Sequence, residues 1–212
     1  VADDRTAPPR LTRAEAKAET RRRLLEAAET AFCRDGYHAT SLDRIAAEAG
    51  FTTGAVYSTF DSKPDVMLAL IAARAARRLE MMQEVIAQDS DPEDLLAEVS
   101  RRYATQAVAE RDWSATVVEF MVVVGRDEGL RARYAEHHDA SREAIASAIR
   151  GALEKTGVRL AMSPRQLATA MMSLNIGLTV ESLLAPVEVT QNLYVDAQLA
   201  LRRGANVDRK QR

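Results

Sequence analysis

The sequence predicts an all-α protein of about nine helices, with a small N-terminal unit joined to a larger bundle. Three observations predict it. Alanine and the straight-chain residues arginine, leucine and glutamate dominate the 212 residues, and these lose least on entering a helix. Glycine (9) and proline (6) are scarce. Apolar residues recur at three- and four-residue spacing, and no segment shows the strict alternation of a convincing strand.

Residues 1–12, with charges around Pro8-Pro9, read as a disordered tail. A first helix is expected over 13–34, where Leu24, Ala27, Ala28, Ala31 and Phe32 share a face, and Asp35-Gly36 stops it. Tyr37-His38-Ala39 reads as a connector. Thr40 or Ser41 caps a second helix, 41–49, whose inner face is Leu42, Ile45, Ala46 and Ala49, and Gly50 ends it. Thr52 or Thr53 caps a short third helix, 52–60. Asp61 or Ser62 caps a long fourth, 63–88, with Pro64 in its first turn, where a missing N–H does no harm. Asp89-Ser90-Asp91-Pro92 breaks the pattern. Further helices are expected over 92–110, 113–125, 127–156, 164–184 and 188–203, and residues 205–212 read as a second tail.

Composition narrows the class. The single cysteine, Cys33, can form no internal disulfide and no CxxC site. No run approaches the ~20 apolar residues of a membrane span, so no membrane partner is expected and the reading is cytoplasmic. A net charge of −2 gives no global argument for nucleic acid. Residues 5–34 hold eight basic and four acidic side chains. The ordinary reading of that excess is a solvated helix face laced with opposite charges.

Helix 41–49, the Gly50 turn and helix 52–60 meet the requirements of a helix-turn-helix covered by helix 13–34. The fuller string is Arg22, Leu24-Leu25, Ala27-Ala28, Phe32, Asp35-Gly36-Tyr37, Thr40-Ser41, Ile45-Ala46, Ala49-Gly50, Thr53 through Tyr57, Phe60 and Ser62-Lys63. It resembles the DNA-binding domain of the TetR family of transcriptional regulators over about residues 18–70. Beyond it, Trp113, Glu119-Phe120 and Arg126-Asp127 before Leu130 resemble a variant of that family's C-terminal domain. The resemblance implies a DNA-binding domain at 13–62 and a ligand-binding and dimerisation domain at 63–204, linked by helix 63–88. It implies a homodimer reading a palindromic double-stranded operator, with half-sites about 34–36 Å apart or wider. It also implies repression released by a small-molecule inducer, and no cofactor.

Candidate DNA contacts follow from that resemblance. Small residues at the start of a recognition helix allow close approach to base edges, which suits Thr52, Thr53, Gly54 and Ala55. Tyr57 can reach a phosphate, Lys63 lies at the next helix start, and Thr40 and Ser41 lie at the second. Arg21 and Arg22 could reach the flanking backbone or minor groove. Ordinary alternatives stand beside each: Thr40, Ser41 and Thr52 as caps, Tyr57 as packing, Lys63 as a solvated lysine, the arginines as a charged face. Phe51, Val56 and Phe60 are expected in the core.

The C-terminal half lacks a catalytic constellation. His137 and His138 are adjacent, so on a helix they point ~100° apart, and neither has a glutamate three residues before it. No GxSxG, HExxH, P-loop or dinucleotide fingerprint occurs, so neither an enzyme nor a metal site is expected. Pocket candidates are Met82, Tyr103, Trp113, Glu119, Phe120, Val123, His137, Met171 and Asn175, with Met81, Met121 and Met172 as adaptable apolar walls. Glu119 in such a wall would favour a cationic ligand, because a lone buried carboxylate is costly. Dimer candidates are Ala170, Ser173, Leu174, Gly177 and Leu178, with Leu193, Ala197 and Leu201. The alternatives to a ligand-released repressor are a DNA-binding structural or cell-division factor without an inducer, or a helical enzyme.

Overall fold

The computed structural model of the chain describes residues 12–86, 92–157 and 159–205. The expected tails, apart from Thr12 and Ala205, and the break at 89–91 lie outside these. The described residues form nine helices and no strand: α1 Arg13–Ala39, α2 Leu42–Ala49, α3 Thr53–Tyr57, α4 Lys63–Ile86, α5 Pro92–Ala109, α6 Arg111–Arg126, α7 Glu128–Thr156, α8 Pro164–Leu184 and α9 Gln191–Ala205. The fold is all-α. It divides into two compact units, Val1–Val66 and Met67–Arg212, the division falling inside α4.

In the first unit a capping box starts α1. Thr12 Oγ1 accepts the Glu15 N–H at 3.2 Å, and Glu15 accepts the Thr12 N–H at 2.7 Å. Gly36 breaks the helix with φ 81° and ψ 169°, a conformation that favours glycine. The expected stop is therefore real, but the connector reading of 37–39 is corrected: a further helical turn follows the kink. Leu24, Ala28, Ala31 and Phe32 of α1 meet Ile45 and Ala46 of α2 and Val56 of α3 in a fully buried core. The Phe32 and Tyr37 rings stack at 5.7 Å. Gly50 closes α2 at φ 72°, and the next amide, from Phe51, bonds back to Ala46 O at 2.9 Å.

In the second unit α5 lies against α9, and α7 against α8. Ala104, Ala107, Val189 and Tyr194 form a buried cluster with Tyr103 and Leu178 packed on it. Asp127 caps α7 by accepting the Leu130 N–H at 2.8 Å, and Gly157 ends it at φ 66°. Ser163 and Gln166 form the capping box of α8 with Pro164 in its first turn. α9 starts at Gln191, not 188, because Glu188 closes a turn onto Ala185 O and Thr190 Oγ1 takes the Leu193 N–H.

Candidate nucleic-acid interface and cavity

The turn after α2 carries a helix of only five residues. Thr52 caps α3, its Oγ1 accepting the Ala55 N–H at 3.3 Å. Thr53 Oγ1 donates to Asp43 Oδ1 at 2.8 Å and so ties α3 to α2. Neither the bond nor Asp43 was expected, since the two residues are ten apart. The helix ends earlier than the expected 60. Ser58 and Thr59 hydroxyls both donate to Ala55 O at 2.9 Å, a local bonding pattern that competes with helix continuation. Val56 and Phe60 are buried, as expected. Thr52, Gly54 and Ser58 are exposed, Thr53 and Ala55 are half-buried, and Tyr57 is 58% exposed. A side chain at Gly54 would meet only Thr52 Oγ1, at 3.8 Å. This helix thus presents small groups and one phenol on a buried apolar footing.

The flanking candidates fall differently. Ser41 is exposed and caps α2, its Oγ accepting the Arg44 N–H at 3.2 Å. Thr40 is a correction: it is buried, and its hydroxyl donates to Gly36 O at 2.8 Å and to Ala31 O at 3.3 Å, so no hydroxyl is offered to a phosphate. Lys63 is turned toward protein partners. Its ammonium donates to Tyr37 O at 2.9 Å, Thr40 O at 3.0 Å and His38 O at 3.3 Å, and lies 4.5 Å from the Tyr37 ring centroid. It clasps the carbonyls at the end of α1 with all three of its donors. Burial, with Asp65 adding to it, pushes the Tyr37 phenol up to about 12.

Among the arginines, Arg22 has acidic neighbours. It is paired with Glu19 and Glu26, each at 2.5 Å, on an exposed face, which is the ordinary reading of a charged helix side. Its hydrogen bonds hold Glu19 below the usual carboxylate range. Arg21 is exposed with its guanidinium 4.5 Å from the Phe60 ring centroid. Arg23 donates to Ala49 O at 2.9 Å and lies over Phe51 at 4.7 Å, bracing the turn.

The second unit holds a cavity of about 600 Å³, within the usual range for small-molecule sites. Met82, Tyr103, Trp113, His137, Met171 and Asn175 line it, as do Met81, Met121 and Met172. Glu119, Phe120 and Val123 are corrected. None of the three lines the cavity; Phe120 is fully buried in packing, because its helix turns that side away. Glu119 therefore offers no carboxylate to a cationic ligand in the cavity. Arg74, Arg78, Glu110, His138 and Gln198 line the cavity and were not expected there. Arg74 pairs with Glu110 and lies 4.2 Å over the Trp113 ring. Charged residues on apolar helices were a visible signal, but only the packing shows which of them face inward.

His138 stacks on Tyr134 at 5.5 Å. Burial, then the Arg142 charge, holds its imidazole below the ordinary 6.5, with Asp139 opposing. The folded state therefore binds fewer protons than the unfolded one. Stability is complete above about pH 6.5 and falls as the pH drops from there through the lowered value. A His138→Gln variant should show a flatter stability–pH curve between pH 7 and 5 in urea titrations. Parallel curves would remove His138 as the source.

On the dimer candidates, Ser173, Gly177 and Leu193 are exposed, and nothing lies within 4 Å of a side chain placed at Gly177. Ala170, Leu174, Ala197 and Leu201 are half-buried. Leu178 is half-buried and packs on the internal cluster of Tyr194 and Ala104. Leu184 and Val187, just beyond, are 76% and 86% exposed. Contrary to the expectation that no run approaches a membrane span, α8 is long and apolar enough to cross one by length and composition.

A short capped helix seated on a buried α1–α2 footing, in a chain whose second unit is a helical bundle with a cavity, is the arrangement of a helix-turn-helix transcriptional regulator. Residues 24–70 match "Bacterial regulatory proteins, tetR family" and residues 92–201, over half of the chain, match "BetI-type transcriptional repressor, C-terminal"; the chain belongs to the TetR family. It is similar to the HTH-type transcriptional repressor AcnR of Corynebacterium diphtheriae, with 30% identity over 128 residues. That stretch covers 59% of this chain, and the chain spans only 60% of AcnR's own length. Among solved structures it resembles a TetR transcription regulator from Haloarcula marismortui, at 14% identity and TM-score 0.73, covering 90% of this chain and 100% of that one. It also resembles the transcriptional regulator FadR from Bacillus subtilis in complex with stearoyl-CoA, at 16% identity and TM-score 0.70, covering 85% and 96%. At these identities the two structures speak to the fold alone.

Proposed function

We propose that the chain is a repressor that binds a palindromic double-stranded operator as a homodimer and is released by a small-molecule inducer. The observation that carries this reading is α3 itself. Thr52, Gly54 and Tyr57 stand exposed on a helix that is held by the Thr53–Asp43 bond and by buried Val56. Thr52, Thr53, Gly54 and Ala55 are the reading surface, and Tyr57 and Ser41 meet the phosphate backbone, with Arg21 as a flanking cation. The phosphates supply affinity and the small residues at the base edges supply sequence preference. The cavity supports an inducer, and favours this reading over a DNA-binding structural factor without one. The FadR structure holding stearoyl-CoA is a precedent for a small molecule on this fold.

The apolar residues left exposed on and after α8 support a second copy as its cover, Gly177 and Ser173 allowing close helix approach. Sedimentation at micromolar concentration should give a dimer, and a monomer would remove that part. Selection of genomic fragments with purified protein, repeated with candidate inducers, tests the whole: enrichment of one palindrome, lost on adding an inducer, is expected. Enrichment of many dispersed sites with no ligand effect would favour a structural factor.

Tyr57→Phe should weaken operator binding about fivefold, the worth of one hydrogen bond. Its melting temperature should not change, since the phenol is exposed. Unchanged affinity in a binding titration would remove Tyr57 as a phosphate contact.

A further inference from the structure

Four side-chain nitrogen or oxygen atoms among the described residues are buried without a hydrogen-bond partner: Arg78 Nε, Ser100 Oγ, Arg142 Nε and Gln198 Oε1. Three of them, on Arg78, Ser100 and Gln198, belong to residues lining the one cavity of about 600 Å³. Such atoms are costly, so a cluster of them around one space calls for a partner. Two tyrosines link the three residues. The Arg78 guanidinium is 5.2 Å from the Tyr103 ring centroid, and Tyr103 is 6.0 Å from Tyr194. Ser100 stands one helical turn before Tyr103 on α5, and Gln198 one turn after Tyr194 on α9, each on the tyrosine's side of its helix.

The chemistry of the three atoms specifies the partner. Arg78 offers a cationic N–H edge and has no carboxylate in salt-bridge range among the described residues. The acid nearest in role, Glu110, is already engaged by Arg74 and by Gln106 Nε2 at 3.2 Å. Ser100 adds a hydroxyl. Gln198 has spent its amide N–H groups on Met171 O at 3.0 Å and Asn175 Oδ1 at 2.8 Å, leaving an acceptor. A guanidinium edge matches a planar carboxylate in geometry and charge. The space is about twenty times a water's share of liquid volume, so one bridging water does not account for it. The remaining wall is largely apolar and rich in methionine, which adapts to a flexible hydrocarbon body.

We infer that the cavity takes an amphipathic carboxylate, its acid group bound by Arg78 and Ser100 and its apolar body against the methionine wall, with Gln198 Oε1 receiving a hydrogen-bond donor where the ligand carries one. The inference rests on the reading of this cavity as the inducer site. It names the inducer's chemical class and the residues that select it.

Trp113 is the only tryptophan of the chain and lines the cavity, so its fluorescence reports binding directly on the full-length protein without DNA. The probes are decanoate, decanol and decyltrimethylammonium, which share a tail and differ in the head. Decanoate should bind at least about tenfold more tightly than either of the others, the worth of one charged hydrogen bond. Arg78→Met should erase that preference while leaving decanol binding unchanged. Ser100→Ala should weaken decanoate several-fold with a melting temperature equal to or above that of the parent, since it removes an unpartnered buried hydroxyl. Tighter binding of the ammonium compound, equal binding of all three, or no binding of any would overturn the inference. So would a preference for decanoate that survives Arg78→Met, or, should that variant fail to fold, one that Ser100→Ala does not weaken. A parallel operator-binding assay separates the two readings. Decanoate that binds with the stated preference but never releases DNA leaves the carboxylate site standing and removes the inducer role.

Discussion

Lys63→Met is expected to lower the stability of the DNA-binding unit by about 2–3 kcal/mol, the cost of stripping a charged donor from part-buried acceptors. The carbonyls of Tyr37, His38 and Thr40 lose a shared partner, and the turn that follows the Gly36 kink loses its clasp. Operator affinity should fall with it, because α2 begins two residues beyond Thr40. Thermal melting and amide exchange of residues 36–45 measure the effect. The sequence alone offered Lys63 as a phosphate contact, whose removal would weaken DNA binding and spare the fold. Lost operator affinity at an unchanged melting temperature would restore that phosphate role.

Arg74→Met should cost about 3 kcal/mol, since breaking a buried ion pair from one side strands the other charge. Arg74 is buried, Glu110 is 29% exposed, and that exposure keeps the cost at the lower end of the usual range. The double variant Arg74→Met, Glu110→Leu should recover most of it, because apolar replacements of both partners remove the uncompensated charge. Urea titration of the three proteins measures this as a double-mutant cycle. A double variant as unstable as the single would show that Arg74 acts through Trp113, on whose ring it lies, and not through Glu110. A changed Trp113 emission in both variants is expected in either case.

Local chemistry made much of the first unit legible. Gly50 had to end α2 because its φ of 72° suits glycine, and Val56 and Phe60 had to be buried because a short helix needs a footing. The same logic did not reach the partners of Thr40, Arg22 and Lys63. A hydroxyl, a guanidinium and an ammonium are equally suited to phosphate and to protein partners, and their partners here are in some cases more than twenty residues away. In the second unit, the sequence pointed to the methionines and aromatic residues of the cavity wall. It could not tell that Phe120 and Glu119 turn away while Arg78 and Ser100 turn in, since polar residues at neighbouring helical positions read alike until another helix covers one of them.

By itself the sequence determined that this protein is all-α, which residues cap most of its helices, and that residues 41–60 form a helix-turn-helix of the TetR kind. These rest on backbone propensity, capping and spacing, which act within a few residues. Only the tertiary structure decided which charged and hydroxyl groups are consumed inside the fold and which remain unpartnered around the cavity. Hydrogen bonds and ion pairs between helices depend on distances that local periodicity does not encode. The positions of Lys63 and Arg78, one with every donor engaged and the other with a buried N–H unpartnered, follow from that difference.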